Sequence, residues 1–230
     1  MKSRLILVRH GESVWNRQNR FTGWVDVALS QRGMLEAEQA GQLLADEHFD
    51  VAFTSTLLRA QDTLYEILKQ NSHCQQYVRI HEQSSTWYEH FKTVPGDFTE
   101  LKIYVSEKLN ERYYGDLQGV DKDKARQAYG AEKVRKWRRS YSEPPPHGES
   151  LEMTAERTLP YYHQYIDAHL QKGAHVLVSA HGNSLRSIIM HIEQMSAQQI
   201  INYELPTGKP HIYEFGKQGR LTGKFILGEE

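Results

Sequence analysis

Residues 5–8 form an unbroken apolar run, Leu-Ile-Leu-Val, that stops at Arg9-His10-Gly11, and residues 175–179 repeat the layout before Ala180-His181-Gly182. Short continuous apolar runs of this kind predict strands buried on both faces, as in parallel sheets. Elsewhere the period lengthens. Ser30 is placed to cap a helix with Leu35, Ala40, Leu43 and Leu44 on one face. Residues 50–54 read as a strand. Residues 57–69 read as an amphipathic helix with Leu64, Ile67 and Leu68 inward and Arg59 in its first turn. Strand, helix and strand again predict crossover units.

Residues 71–98, with Cys74, His81, Trp87, His90 and Pro95-Gly96, sustain no period and read as irregular. Residues 101–105 predict a strand leading into Leu109-Asn110-Glu111-Arg112. Helices are predicted at 121–129 and 131–141, parted by Gly130, before the rigid turn Pro144-Pro145-Pro146. A long helix over 150–171 should be kinked or broken by Pro160, and 183–191 continues as helix after His181-Gly182. Residues 212–215 and 221–227 predict two strands across a turn at 217–219, added antiparallel at the sheet edge. The expectation is one α/β domain over 1–230, three-layered, with a mostly parallel central sheet flanked by helices. It carries an insertion over about 71–100 and a helical cap segment over about 109–150 that covers the active site.

The 230 residues include 28 Lys plus Arg against 29 Asp plus Glu, so a formal charge of −1 supplies no general field for nucleic acid or an acidic membrane. Any anion site must therefore be a local cluster of positive charge. The single cysteine, Cys74, excludes an internal disulfide. With no opening signal peptide and no apolar run near about eighteen residues, the expected location is the cytoplasm.

The repeated His-Gly dipeptide carries the candidate chemistry. Ligands of open α/β sheets bind at the carboxyl edge of the strands, where both dipeptides fall. A lone histidine there would be read as a hydrogen-bonded strand-end residue. Duplication in the same context favours two imidazoles facing one crevice, with Gly11 and Gly182 allowing close backbone approach to an anion. Neutral imidazole offers a nucleophilic ring nitrogen while a backbone carbonyl holds the other. A phosphoryl group is the fitting electrophile, since its transfer needs mainly positioned donors. Arg9, Arg59 and a protonated His181 are the candidate donors. Without the histidines, Arg59 would read equally well as a solvated surface residue.

RHGESVWN at 9–16, FTGW at 21–24, LNERYYGDLQG at 109–119, WRRSY at 137–141 and HGNSLR at 181–186 together resemble the cofactor-dependent phosphoglycerate mutases of the histidine phosphatase superfamily. The resemblance spans nearly the whole chain. It implies interconversion of 3-phosphoglycerate and 2-phosphoglycerate, with 2,3-bisphosphoglycerate as primer and intermediate and no metal. It further implies that His10 is phosphorylated, that His181 stabilises the transferring group, and that Arg9, Asn16, Arg59, Gly182 and Asn183 hold its oxygens. Glu111 matches the general acid and base, and its burial or the substrate's charge must then raise its proton affinity. On the residues alone, a salt bridge to Arg112 remains an alternative for Glu111.

Arg112, Tyr114, Lys122, Arg138 and Arg139, with Ser13, Thr22 and Gly23, match the grip on the substrate carboxylate and second phosphate. Gly11, Glu12 and Tyr113 fall at neighbouring substrate-binding positions. Paired arginines suit such a ligand because their planar forks bind carboxylate and phosphate bidentately, although basic runs like 135–139 more often form a solvated helical face. The stretch 71–107 is longer than the matching connection in many members, and the chain stops soon after Leu227. Both features bear on entrance cover, subunit contacts and hydrolytic side activity. The resemblance also implies a homo-oligomer. The competing readings are a phosphomonoesterase or bisphosphoglycerate phosphatase of the same superfamily, and a non-catalytic phospho-ligand binding module.

Overall fold

The computed structural model describes residues 2–74, 76–82, 84, 86, 100–216 and 219–228. Its strands are β1 (Ser3–Arg9), β2 (Val51–Thr54), β3 (Tyr77–Ile80), β4 (Leu101–Val105), β5 (His175–Ala180), β6 (Pro210–Phe215) and β7 (Leu221–Ile226). They form one sheet in the order β3-β4-β2-β5-β1-β6-β7. The first five run parallel, and β6 and β7 add antiparallel at one edge.

The run at 5–8 is continuous because both faces of β1 are covered. Leu5 and Leu7 join one core cluster with Leu151, Ile166, Leu185 and Ile188 of the helices on that side. Ile6 and Val8 join the other, with Ala40, Leu44, Leu64 and Ile67. Alternate side chains thus feed two helical layers, which is the three-layer α/β architecture expected.

The helix Gln31–Leu43 is capped by Ser30, whose hydroxyl accepts from the Gly33 N–H. Its orientation differs from expectation: Leu35 and Leu43 are 54% and 40% exposed, while the buried face is Gly33, Ala37, Ala40 and Gly41. Close approach decides this. A Cβ on Gly33 would lie 2.0 Å from the Glu12 carbonyl oxygen, and one on Gly41 would lie 2.7 Å from Gln70 Cγ of the neighbouring helix. Small residues win the contact face over larger apolar ones.

Two further expectations are corrected. Part of the segment read as irregular is strand β3, paired parallel to β4. It escapes a hydrophobic reading because it lies at the edge, with Tyr77 exposed and stacked on Tyr65. Trp87, His90, Pro95 and Gly96 lie outside the described residues. Of the kink or break expected at Pro160, the break is absent: the helix Leu151–Tyr161 runs on, with its geometry altered to a π-helical stretch, Tyr162–Asp167, into Ala168–Leu170. Proline lacks the N–H that would close its turn, and the wider turns that follow keep the chain helical.

The cap segment carries the helices Lys122–Tyr129 and Ala131–Arg139. Gly130 joins them at φ +87°, backbone that an L side chain rarely adopts. Trp137, Val134 and Ala125 pack with Phe21 and Leu117 in a small separate core, which fixes the cap beside the carboxyl edge of the sheet. Among the described residues, no helix is long and apolar enough to cross a membrane.

Candidate active site

Because β1 and β5 are adjacent and parallel with Arg9 opposite Ala180, His10 and His181 leave the sheet at the same level. The His10 N–H donates to the Ala180 carbonyl at 3.0 Å, and the two imidazoles meet edge to face with centroids 4.9 Å apart. His10 Nδ1 lies 2.6 Å from the Gly11 carbonyl oxygen. That carbonyl can only accept, so Nδ1 carries the proton and Nε2 keeps its lone pair. Arg59 Nε donates to this Nε2 at 3.3 Å. Burial, then the charges of Arg59 and Arg9, hold the His10 pKa well below the usual imidazole range, and the ring is neutral. Gly11 lets the chain after His10 pass close to the neighbouring helix: a Cβ there would stand 2.1 Å from the Gly33 carbonyl oxygen.

His181 is likewise completely buried, and burial, then Arg59 and His10, push its pKa well below the usual range. Burial beside Arg59 and His10 thus disfavours the protonated His181 expected as a donor. A second cation beside Arg9 and Arg59 in a buried site is too costly without an anion.

Arg59 is held from three sides. Its Nη1 donates to the Val25 carbonyl at 3.0 Å and its Nη2 to the Gly23 carbonyl at 2.7 Å, which leaves Nε aimed at the nucleophile. Burial lowers its pKa to about 10, so it remains a cation at neutral pH. Arg9 Nη1 is tied to the Leu205 carbonyl, whereas its Nε is buried without a partner. Thr22 Oγ1 and His181 Nδ1 are buried and unpaired as well. Unsatisfied buried polar atoms are costly and uncommon; Arg9 and Thr22 wall one cavity with His10, and the His181 ring lies against His10.

That cavity, of about 200 Å³, is walled by Arg9, Arg20, Arg59, Lys122, Arg138, Arg139 and Arg186 against Glu111 and Glu204. Asn16, Thr22, Gly23, Tyr114, Gly182 and Asn183 complete the predicted part of the wall. Burial, then neighbouring Arg138, lowers the Lys122 pKa to about 8. Such a crowd of like charges is stable only when an anion is shared among them.

Glu111 is 9% exposed and enters from the loop after β4. Its Oε1 accepts from the Arg112 N–H at 2.7 Å, from Asn183 Nδ2 at 2.8 Å and from the Asn183 N–H at 3.2 Å, so Oε2 is the oxygen left for proton transfer. Burial alone would raise the carboxyl pKa, but these donors with Arg9 and Arg59 outweigh it and hold the pKa below the usual range. Burial thus acts in the expected upward direction, and the surrounding donors and cations override it. Nor does Glu111 form a side-chain bridge with Arg112, whose Nη2 reaches Tyr114 Oη and the Arg138 carbonyl instead.

Gly11, Glu12, Ser13, Arg112 and Tyr113 do not line the cavity, and His181 stands behind its wall, against His10. Glu12 Oε1 accepts from Ser30, Ser13 caps the helix Val14–Arg17, and Tyr113 packs edge-on against Trp24. Conversely, Arg20, Arg186 and Glu204 line it without having been singled out. Arg186 follows Gly182 by one helical turn, a spacing that places both on one face. Arg157 is a further brace: its Nη2 donates to the Asn110 and Glu111 carbonyls at 3.0 and 2.8 Å, and its Nε to Glu149 at 2.8 Å. Among the described residues, no group of three or more His, Cys, Asp or Glu is arranged to hold a metal ion.

The sequence profile of the histidine phosphatase superfamily (branch 1) matches residues 5–94 and 93–222. A 2,3-bisphosphoglycerate-dependent phosphoglycerate mutase of Pseudoalteromonas atlantica is 61% identical over 225 residues, covering 98% of this chain and 99% of the relative. The phosphoglycerate mutase of Schizosaccharomyces pombe is 47% identical, covering 97% and 95% of the respective chains. Among solved structures, YhfR of Bacillus stearothermophilus shares the fold with a TM-score of 0.76 at 22% identity, covering 99% of this chain and 98% of that one.

Proposed function

The chain belongs to the histidine phosphatase superfamily, and from that premise we propose that it interconverts 3-phosphoglycerate and 2-phosphoglycerate through a phosphohistidine at His10, as a metal-independent phosphoglycerate mutase. The observation that carries this reading is His10, its Nε2 lone pair met only by Arg59 Nε, in one cavity with Arg9 and Thr22, whose Nε and Oγ1 are buried and unpaired, as is Nδ1 of the adjoining His181. Buried donors without acceptors, beside a nucleophile without an electrophile, fit a tetrahedral oxyanion. The cationic wall beyond them fits a second phosphate or a carboxylate. Relatives over nearly the full length are named as such mutases.

Arg59, Arg9 and the N-terminus of the helix Gly182–Ile192 hold the phosphoryl oxygens, and Arg59 Nε–H moves from His10 Nε2 to an oxygen as the ligand enters. When bound, 2,3-bisphosphoglycerate supplies the phosphoryl group that primes His10. In phosphoryl transfer to the enzyme, an Nε2–P bond forms as the ester P–O bond breaks, and Glu111 Oε2 delivers a proton to the departing oxygen. In the other direction, Glu111 takes the proton of the acceptor hydroxyl as its oxygen bonds phosphorus and Nε2 leaves. The low Glu111 pKa suits this second direction, in which the primed enzyme begins with a carboxylate base. The proton gained there is the one returned in the next half-reaction, so only priming draws on solvent. Arg138, Arg139, Arg186 and Lys122 take the remaining negative charge. Gly11, Glu12, Ser13, Arg112 and Tyr113 support the wall from behind. The same reading carries a cytoplasmic homo-oligomer that acts on small phosphoglycerates.

The test is incubation with 2,3-bisphosphoglycerate, detection of acid-labile phosphate on His10, and comparison of transfer to 3-phosphoglycerate with release of inorganic phosphate. Transfer is expected to predominate. Release prevailing under saturating acceptor establishes a phosphatase instead, and no labelling establishes a binding module.

A further inference from the structure

His181 stands where negative charge develops, yet its ring is buried and carries no formal charge in the ligand-free protein. A neutral imidazole has one N–H and one lone pair. Which of them meets a phosphoryl oxygen is decided by the partner of the other nitrogen. Here that partner is Ser55, whose Oγ lies 2.7 Å from His181 Nε2. Ser55 follows β2 directly, and β2 pairs with β5 through Thr54 and Ser179, so the hydroxyl reaches the histidine across adjacent strand ends. Both side chains are completely buried.

Hydrogen-bond accounting distinguishes the two tautomers. Ser55 Oγ already accepts the Leu57 N–H at 3.2 Å. With the proton on His181 Nε2, the hydroxyl would accept from both sides and its own O–H would have no acceptor, while Nδ1 would be a buried lone pair without a donor. With the proton on Nδ1, the Ser55 O–H donates to Nε2 and every group behind the ring is satisfied. The unpaired atom is then Nδ1–H, a donor awaiting an anion.

We propose that Ser55 is a positioning residue that locks His181 in its Nδ1–H tautomer, so that an N–H and not a lone pair meets the transferring phosphoryl group. The proposal rests on the phosphoryl-transfer reading of the site, but the tautomer itself is observable without turnover. In the full-length protein labelled with 15N at histidine, His181 should show a protonated, pyrrole-type Nδ1 and a pyridine-type Nε2, both before and after addition of inorganic phosphate. Ser55→Ala should lose this preference and slow phosphorylation of His10 by 2,3-bisphosphoglycerate about 10- to 100-fold, by analogy with the loss of the outer partner of a metal-ligating histidine. KM should change little, and Ser55→Thr, which keeps the hydroxyl, should restore both rate and tautomer.

A protonated Nε2 in the wild-type spectrum overturns the proposal, as does an unchanged tautomer in Ser55→Ala. If the alanine variant does not fold, the wild-type spectrum and Ser55→Thr still decide. Absence of 3-phosphoglycerate isomerisation would count against the mutase reading and leave the tautomer result standing.

Discussion

β1 and β5 end in the same dipeptide, yet their two imidazoles are held by different means and present different atoms. His10 is pinned by the carbonyl of the next residue in its own chain segment, which leaves Nε2 as a lone pair. His181 is pinned by a hydroxyl from the neighbouring strand end, which leaves Nδ1 buried and unpaired. Both rings are kept neutral by burial among arginines. The difference teaches that a repeated sequence signal can locate a pair of histidines without distributing their tasks. The distribution is made by whatever binds the nitrogen facing away from the ligand.

The strongest way to break this comparison is His10→Asn, which removes the nucleophile. Labelling by 2,3-bisphosphoglycerate and mutase turnover should fall by at least about four orders of magnitude, and comparable residual labelling would assign the phosphate to another residue. Glu111→Gln should follow, lowering kcat by about 10²- to 10⁴-fold. Inorganic phosphate should still bind this variant, as read by calorimetry, because Arg59 and Arg9 are untouched. His181→Asn should cost about 10²- to 10³-fold, the scale of one lost transition-state donor, and should still permit slow labelling of His10. A loss equal to that of His10→Asn would make the two rings equivalent and end the distinction.

The smallest expected effect concerns charge. The unfolded chain protonates histidine below about pH 6.5, whereas the folded protein resists protonating His10 and His181. Stability therefore falls as pH drops through that region, each ring contributing a slope that approaches about 1.4 kcal/mol per pH unit. Thermal or urea unfolding between pH 7 and pH 5 should show a shallower decline in His10→Asn and in His181→Asn than in the parent. Flattening in only one variant would mean that the other ring is already charged in the folded protein.

Much of this molecule was legible from its sequence, for identifiable reasons. Buried parallel strands announce themselves as apolar runs, and Ser30, Ser150 and Gly130 mark helix ends by local chemistry that needs no tertiary context. The edge strand β3 has no such signature, because half of it faces outward. Leu35 and Leu43 misled because the true contact face requires glycine and alanine for closeness, which outweighs size. In the site, Arg9 and Glu111 fall in motifs and Arg59 in the first turn of a predicted helix, and the structure brings them together. Ser55 and Arg157 act across strand and helix boundaries and carry no local mark. The protonation states of Glu111 and His181 could not be read at all, since they follow from summed burial and charge.

Arg157 ties the loop bearing Glu111 to the helix Leu151–Tyr161, spanning the carbonyls of Lys108, Asn110 and Glu111 as well as Glu149. A warm-sensitive lesion in that helix would therefore disable the proton carrier while the phosphate pocket on the opposite wall stayed assembled. Partial heat inactivation should accordingly leave an enzyme that still binds inorganic phosphate but is slow both to accept a label and to pass it on.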